Sequence, residues 1–500
     1  MAEPINVPAP MRRRVLYDEL EARRQALVDG KEINPYYFGV RPIFTVAKEE
    51  QPGQLSVVPF DRVEICNLSD WRIPSDKKKY RRLKPDGTLG EVEKPIDLAV
   101  DPELGRISFA HPVSAPNRVL VTFHYGFSAA MGGGEYDRKS TFDASLGPIE
   151  PVTAPSPIEP ALNARADGGV VELSDSGRFE ETPSVALNAG VRLELRAANE
   201  HRPILIVRRP IDIRGGENAE VTLNGLLMAG GPVRVVGGAG NRLRKLRLVH
   251  CTLVPGFSLG SDGAPTSPGM PSLLIEQTDN PLEIEIDHCI LGAIRAPLNA
   301  TLVVRHSIVD ANGQTEVAYA ALDNIGPGGT LSVINSTIIG TVHTALLKLA
   351  SNSVFLSRTE DDSAPVRSER RQTGCVRFSW LPLEARVPRR YRCQPDLEIA
   401  EQIAAAAKQA GGALSTSERA MITEAVVAQI VPAFTSLVYG QPGYGQLRIS
   451  APEQIRTGAD DEAEMGAFHD LFQPQRESNL CTRLDEYLRF GLEAGVFYET

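Results

Sequence analysis

Five stretches of the chain share one spelling: His250-Cys251-Thr252-Leu253, His288-Cys289-Ile290-Leu291, His306-Ser307-Ile308-Val309, Asn335-Ser336-Thr337-Ile338 and Asn352-Ser353-Val354-Phe355. Each reads polar, small, β-former, apolar. The polar residues lie 38, 18, 29 and 17 positions apart. An irregular period near 20, with insertions of different length, is the signature of a β-solenoid. In four of the five, positions two and four before the polar residue are aliphatic: Leu248 and Leu246, Ile286 and Ile284, Val304 and Leu302, Val333 and Leu331. Residues two apart on a strand share a face, so stacked rungs make two aliphatic columns inside a coil. The fifth rung has Ala350 and Lys348 there, which leaves its register open. The small residue after the polar one suits a tight interior corner. No rung buries its face alone, so neighbours must stack.

The outward column supports adjacency. Glu283, Glu285 and Asp287 alternate with the buried positions and face Lys245, Arg247 and Val249 of the preceding rung, then Thr301, Val303 and Arg305 of the following one. Lys245–Glu283, Arg247–Glu285 and Asp287–Arg305 are the expected cross-strand ion pairs, each worth about 0.2–1 kcal/mol. Val249, Val303 and Ile334 flank that column as an interaction stripe or as cover for a loop.

Glycosidic acid–base chemistry needs two carboxylates roughly 5–9.5 Å apart. Alternate residues on a strand lie about 7 Å apart, so Glu283, Glu285 and Asp287 are the candidates for such a role. Their basic register partners favour a structural one, and no catalytic residue is assigned. His250, His288 and His306 form a column that continues as Asn335 and Asn352, which is expected of a polar corner ladder bonding to backbone. Stacked equivalents lie about 5 Å apart in a line, whereas zinc wants converging ligands, so neither a metal nor a cofactor is expected. Asp460-Asp461-Glu462 with Glu464 lacks EF-hand spacing and is read as a solvated helix start. Gly132-Gly133-Gly134 and Gly326-Pro327-Gly328-Gly329 lack the strand–loop–helix context of phosphate binding and are read as turns. The stretch Arg386, Arg389, Arg390, Arg392 with Tyr391 is open to a phosphate or an acidic partner, with a solvated loop the favoured reading.

A net charge of −10 argues against nonspecific nucleic-acid binding. The start, Met-Ala-Glu-Pro-Ile-Asn, has no apolar signal core, and no apolar run is long enough to span a membrane. Cytoplasmic synthesis is therefore expected. Six cysteines show no metal spacing. Cys251 and Cys289 read as small buried residues, and pairing of Cys375 with Cys393 is left open. The expected organisation is an arm and helix at 1–37, with helical spacing over 12–29 stopped by Gly30, then a small β-rich domain at 38–147. A proline-rich linker follows at 148–163, the solenoid at 164–395, and a helical C-terminal region at 396–500 with a final rung near Phe434–Tyr439. Ser415 and Glu418 form a capping box. Glu462–Gly466 and Asn479–Glu493 look helical. The fold class is mainly β: a right-handed parallel β-helix between a small β-rich domain and a C-terminal α-helical segment.

Several blocks occur together: Ala99–Ile107, His124-Tyr125-Gly126-Phe127 with Gly132-Gly133-Gly134-Glu135-Tyr136, Gly374–Ser379, Pro388–Cys393, and a tail from Glu464-Met465-Gly466-Ala467-Phe468 through Tyr487–Gly495. The set resembles a sparsely characterised bacterial family of parallel β-helix proteins that accompany phage-tail-like or contractile-injection gene clusters. The resemblance implies a non-enzymatic structural or surface-binding particle component, docked to other particle proteins by the N-terminal domain and binding glycan through the β-helix. It carries no catalytic residues to transfer. The alternative on the same fold is a tailspike-like polysaccharide lyase or glycoside hydrolase. Trimers are common among phage β-helices, but no coiled-coil heptads demand one here, and the oligomeric state is left open.

Overall fold

The computed structural model describes the chain apart from residues 1–10, 32, 34, 36, 40–41, 52–53, 84–87, 111–117, 124–128, 239, 261–262, 362, 442 and 488–500. Most of the expected arm, the His124–Phe127 block and the tail beyond Tyr487 lie outside the described residues. Two compact units divide the chain, Met1–Ser128 and Ala129–Thr500.

The first unit is built on the expected helix, Arg13–Asp29. It ends at Gly30, whose left-handed backbone lets its N–H bond the Ala26 carbonyl. Leu16 and Leu20 pack with Val63, Ile65 and Leu98. Arg24, fully buried, donates to the Tyr80 hydroxyl and the Val63 carbonyl, both at 2.6 Å. Leu98–Asp101 and Arg106–Phe109 pair antiparallel about the turn at 102–105. Buried Asp101 holds that turn by accepting the N–H groups of Leu68, Glu103 and Leu104.

The second unit is a parallel β-solenoid of three strand columns. The first column includes Lys245–Val249, Leu282–Asp287, Ala300–Arg305 and Gly328–Ile334. The second includes Thr252–Leu253, Ile290–Leu291, Ile308–Asp310 and Thr337–Ile339. The third includes Pro271–Ile275, Ala293–Arg295 and Val317–Ala320. The four aliphatic pairs read from the tetrads are all buried, inside one core that runs from Val152 to Cys393. The predicted register holds: Lys245 opposes Glu283, Arg247 opposes Glu285 and Asp287 opposes Arg305. The irregular fifth rung has a one-residue bulge. Leu331 pairs with Leu347 and Ser332 with Leu349, so Lys348 is extruded to solvent while Leu347 and Ala350 fill the core positions.

Several expectations are corrected. The proline-rich segment is not a free linker. Ile149–Val152 pairs in parallel with Gly169–Leu173, and Glu159–Ala164 is a short helix over the solenoid's end. Pro151 is tolerated because this is an edge strand with a free side. Phe434–Tyr439 is not a rung: Phe434 bridges Leu447 in antiparallel fashion. Glu462–Gly466 is not helical, and a short helix lies just upstream at Glu453–Arg456. The helical C-terminal region holds helices at Asp396–Ala410 and Thr416–Gln429, the second with both capping-box bonds present at Ser415 and Glu418. The described part of the last helix spans Gln473–Tyr487. All six cysteines are free.

Candidate functional site

The tetrads mark the corner between the first and second strand columns. Every polar tetrad residue sits in the left-handed region: His250 at φ 48°, His288 at 50°, His306 at 44°, Asn335 at 47° and Asn352 at 52°. Among non-glycine residues Asn and His adopt that conformation most readily, so the backbone selected the spelling. The column extends at both ends with Gly225 (φ 74°), Phe378 (φ 46°) and Arg392 (φ 50°).

Bonding to backbone falls to the small residue, not to the polar one as expected. The N–H groups of Cys289, Ser307, Ser336 and Ser353 donate to the hydroxyls of Ser307, Ser336, Ser353 and Ser379 at 2.9–3.2 Å. Ser336 and Ser353 donate in turn to the carbonyl two residues back, at 2.7 and 2.8 Å. This inner ladder satisfies the corner amides inside the core. The imidazoles and amides next to it are free to point outward, where His250, His288 and His306 stack with centroids 4.8 and 4.6 Å apart.

Two covering segments lie on this column and dock alike. In the first, the Gly132 N–H donates to the His288 carbonyl (2.7 Å) and the Gly133 N–H to Thr252 Oγ1 (2.9 Å). In the second, the Gly466 N–H donates to the Asn352 carbonyl (2.8 Å) and the Ala467 N–H to Thr337 Oγ1 (3.0 Å). A Cβ on Gly133 would lie 2.6 Å from the Leu226 carbonyl oxygen. The triple glycine is therefore a close-approach segment, rather than the plain turn expected.

Four residues beyond each docking glycine stands the group that meets the histidines. After Gly132 it is Tyr136, whose hydroxyl lies against the Gly132 carbonyl and 2.9 Å from His250 Nδ1. The hydroxyl has one proton, and the carbonyl can only accept, so the tyrosine donates to Gly132 and accepts from a protonated His250 Nδ1. Burial, then the neighbouring His288 and Arg138, push His250 down to about 3. It is a neutral imidazole.

After Gly466 it is Asp470. His288 Nε2 and His306 Nε2 each lie 3.3 Å from an Asp470 oxygen. On the opposite edge of the rings, His288 Nδ1 and His306 Nδ1 lie 2.9 and 3.2 Å from Asp287 Oδ1. Two imidazoles are thus enclosed by two carboxylates. Burial alone would lower His288, but its hydrogen bonds to Asp287 and Asp470 outweigh that and raise it to about 9. Burial would raise both carboxyls, yet the histidine bonds hold them well below the usual carboxylate range. The network continues outward. Asn335 Nδ2 lies 3.0 Å from His306 Nε2, Asn352 Nδ2 donates to Asp460 (2.7 Å), and His469 Nε2 lies 3.0 Å from Asp461.

Of the three candidate carboxylates, only Asp287 enters this site. Glu285 is held by Lys245 Nζ at 2.8 Å and by Arg247 at 3.6 Å. Lys245 reaches diagonally to Glu285, not straight across to Glu283, and Asp287 pairs with histidines where Arg305 was expected. Val249 is buried. Asp470 and His469 carried no local signal, and Asp461 stood out only as part of an acidic run, because only the docking of a distant segment brings them to the corner. A separate groove of about 760 Å³ lies at the C-terminal end. Glu398, Glu401, Glu453, Asp460, Glu462 and Arg392 are among its lining, so Arg392 belongs to a groove rather than a solvated loop. The acidic run proposed as a helix start also contributes to it. Compared with known proteins, the chain matches no family model, and no curated protein or solved structure matches it.

Proposed function

We propose that this chain is a non-enzymatic structural or surface-binding component of a larger phage-tail-like, contractile-injection particle. One observation carries this reading: two of the three candidate carboxylates on the solenoid's outer face are held by side chains of the same chain. Glu285 is held by Lys245 and Arg247, and Asp287 by two histidines. Carboxylates held in this way suit packing and glycan contact better than proton transfer. The sequence resemblance supports the particle setting, and the N-terminal unit is the proposed dock. The test is mass spectrometry of native particles purified from the source organism. Stoichiometric recovery of the chain with sheath and baseplate proteins is the expected result, and its absence from intact particles overturns the reading.

The acidic C-terminal groove favours a second reading, a polysaccharide lyase or hydrolase on the same fold. It brings carboxylates from two helices beside Arg392. New reducing ends or unsaturated sugars released from a capsular polysaccharide panel, and lost in Glu398→Gln or Glu453→Gln, would establish it.

A further inference from the structure

We propose that Asp287, His288 and His306 form a binding site for one divalent first-row transition metal ion, with Asp470 as the positioning residue. This departs from the expectation of a plain polar ladder and is independent of any particle role. A line of stacked histidines does not converge, which is why the column by itself argued against a metal. The convergence comes from Asp287, which ends the strand leading into His288 and turns one oxygen toward the Nδ1 atoms of two successive rungs. One ligand atom from each of the three residues lies within 4.8 Å of the other two.

The spacing is close to what a small ion needs. Zn–N and Zn–O bonds of about 2.0–2.1 Å at tetrahedral angles place neighbouring donors about 3.3 Å apart. The Asp287–His contacts are 2.9 and 3.2 Å, and all three ligand atoms lie within 4.8 Å of one another, so an ion enters with small side-chain shifts. The rings are tilted by 36° to one another rather than parallel. The far side of the pair supplies the second requirement. Metal-bound histidines almost always donate their other ring N–H to a carboxylate, which fixes the tautomer. Asp470 stands 3.3 Å from both Nε2 atoms, in place to accept the His288 Nε2 proton and leave its Nδ1 lone pair for the ion; at His306 Nε2 the donating Asn335 Nδ2, 3.0 Å away, must swing aside for the same tautomer to form. Two imidazoles and a carboxylate select zinc-like ions over calcium or magnesium. The side chains remain one-fifth to one-third exposed, leaving room for water as the fourth ligand. His250, one rung away, is excluded: its Nδ1 proton faces Tyr136.

The test is Co²⁺ and Zn²⁺ titration of the full-length, chelator-treated protein. Binding of one ion per chain is expected, with a Co²⁺ visible spectrum of four-coordinate nitrogen and oxygen ligation. His288→Asn and His306→Asn should each weaken binding by at least about tenfold, and Asp470→Asn by about 10–100-fold. Asparagine already occupies this backbone conformation at Asn335 and Asn352, so those ladder variants keep the corner, and His250→Asn should bind as the parent does. Equal affinity in the double variant His288→Asn/His306→Asn overturns the proposal. So does a wild-type histidine ¹⁵N spectrum in which Zn²⁺ leaves the Nδ1 resonances of His288 and His306 unmoved, a readout that depends on no variant folding.

Discussion

The two covering segments meet the solenoid in the same way and leave the histidines in opposite states. Each lays a glycine N–H on a ladder carbonyl and the next N–H on a threonine of the preceding rung. Each then presents a side chain four residues on. Tyrosine at that place seals His250 as a neutral imidazole. Aspartate at that place, facing Asp287 across the rings, makes His288 a cation. The backbone conformation of His250 and His288 differs by only 2° in φ. The lesson is that the ladder fixes where an imidazole stands, while the covering segment fixes its charge.

The largest way to break this comparison is Asp287→Ala. It removes both Nδ1 bonds and should cost about 2–3 kcal/mol in denaturant unfolding. Faster hydrogen exchange is expected over residues 463–472, with residues 129–136 unchanged. Equal loosening of both segments would show that they are one cooperative unit.

pH sharpens the contrast with chelator present, each pKa unit being worth about 1.4 kcal/mol. His250 is held down to about 3, so below about 6.5 only the unfolded chain takes up its proton, and stability falls as pH drops toward 3. His288 is raised to about 9, so its contribution is complete below about 6.5 and is lost as pH rises through 9. His250→Asn should therefore flatten the acid arm of the stability profile and leave the alkaline arm alone, whereas His288→Asn should flatten the alkaline arm and, by relaxing Asp287 and Asp470, soften the acid end as well. If His250→Asn changed the alkaline arm, or His288→Asn left it as it was, the charge assignment would be wrong.

Smaller still is Tyr136→Phe. It leaves the His250 Nδ1–H without its acceptor, and about 1 kcal/mol should be lost, measured as a shift in denaturation midpoint. Smallest is Asn335→His, which the backbone tolerates and which should change stability by less than about 0.5 kcal/mol.

The solenoid was legible because its corner demands left-handed backbone, and His and Asn are the residues that supply it. The same corner went unseen at Gly225, Phe378 and Arg392, where the spelling breaks although the backbone does not. Lys348 left the register of the fifth rung open because it is a bulge. The prolines of 148–163 suggested a linker because an edge strand tolerates what a central strand forbids. Asp287 was visible but assigned to Arg305, since strand register shows what stands opposite and not what the next residue in the corner can reach. Asp470 was beyond sequence reasoning: nothing near it says which distant rung it will meet.

The two docking glycines lie on opposite sides of the rungs they cover in chain order. During synthesis the Gly132 segment leaves the ribosome before its rungs exist, and the Gly466 segment only after the ladder has emerged. Between those moments the nascent chain carries a row of uncovered imidazoles. His250 can be closed once its own rung and the His288 rung have formed, while His288 and His306 wait for residues well over a hundred positions downstream. The corner therefore closes in two stages, and the second reports that the Gly466 segment has arrived.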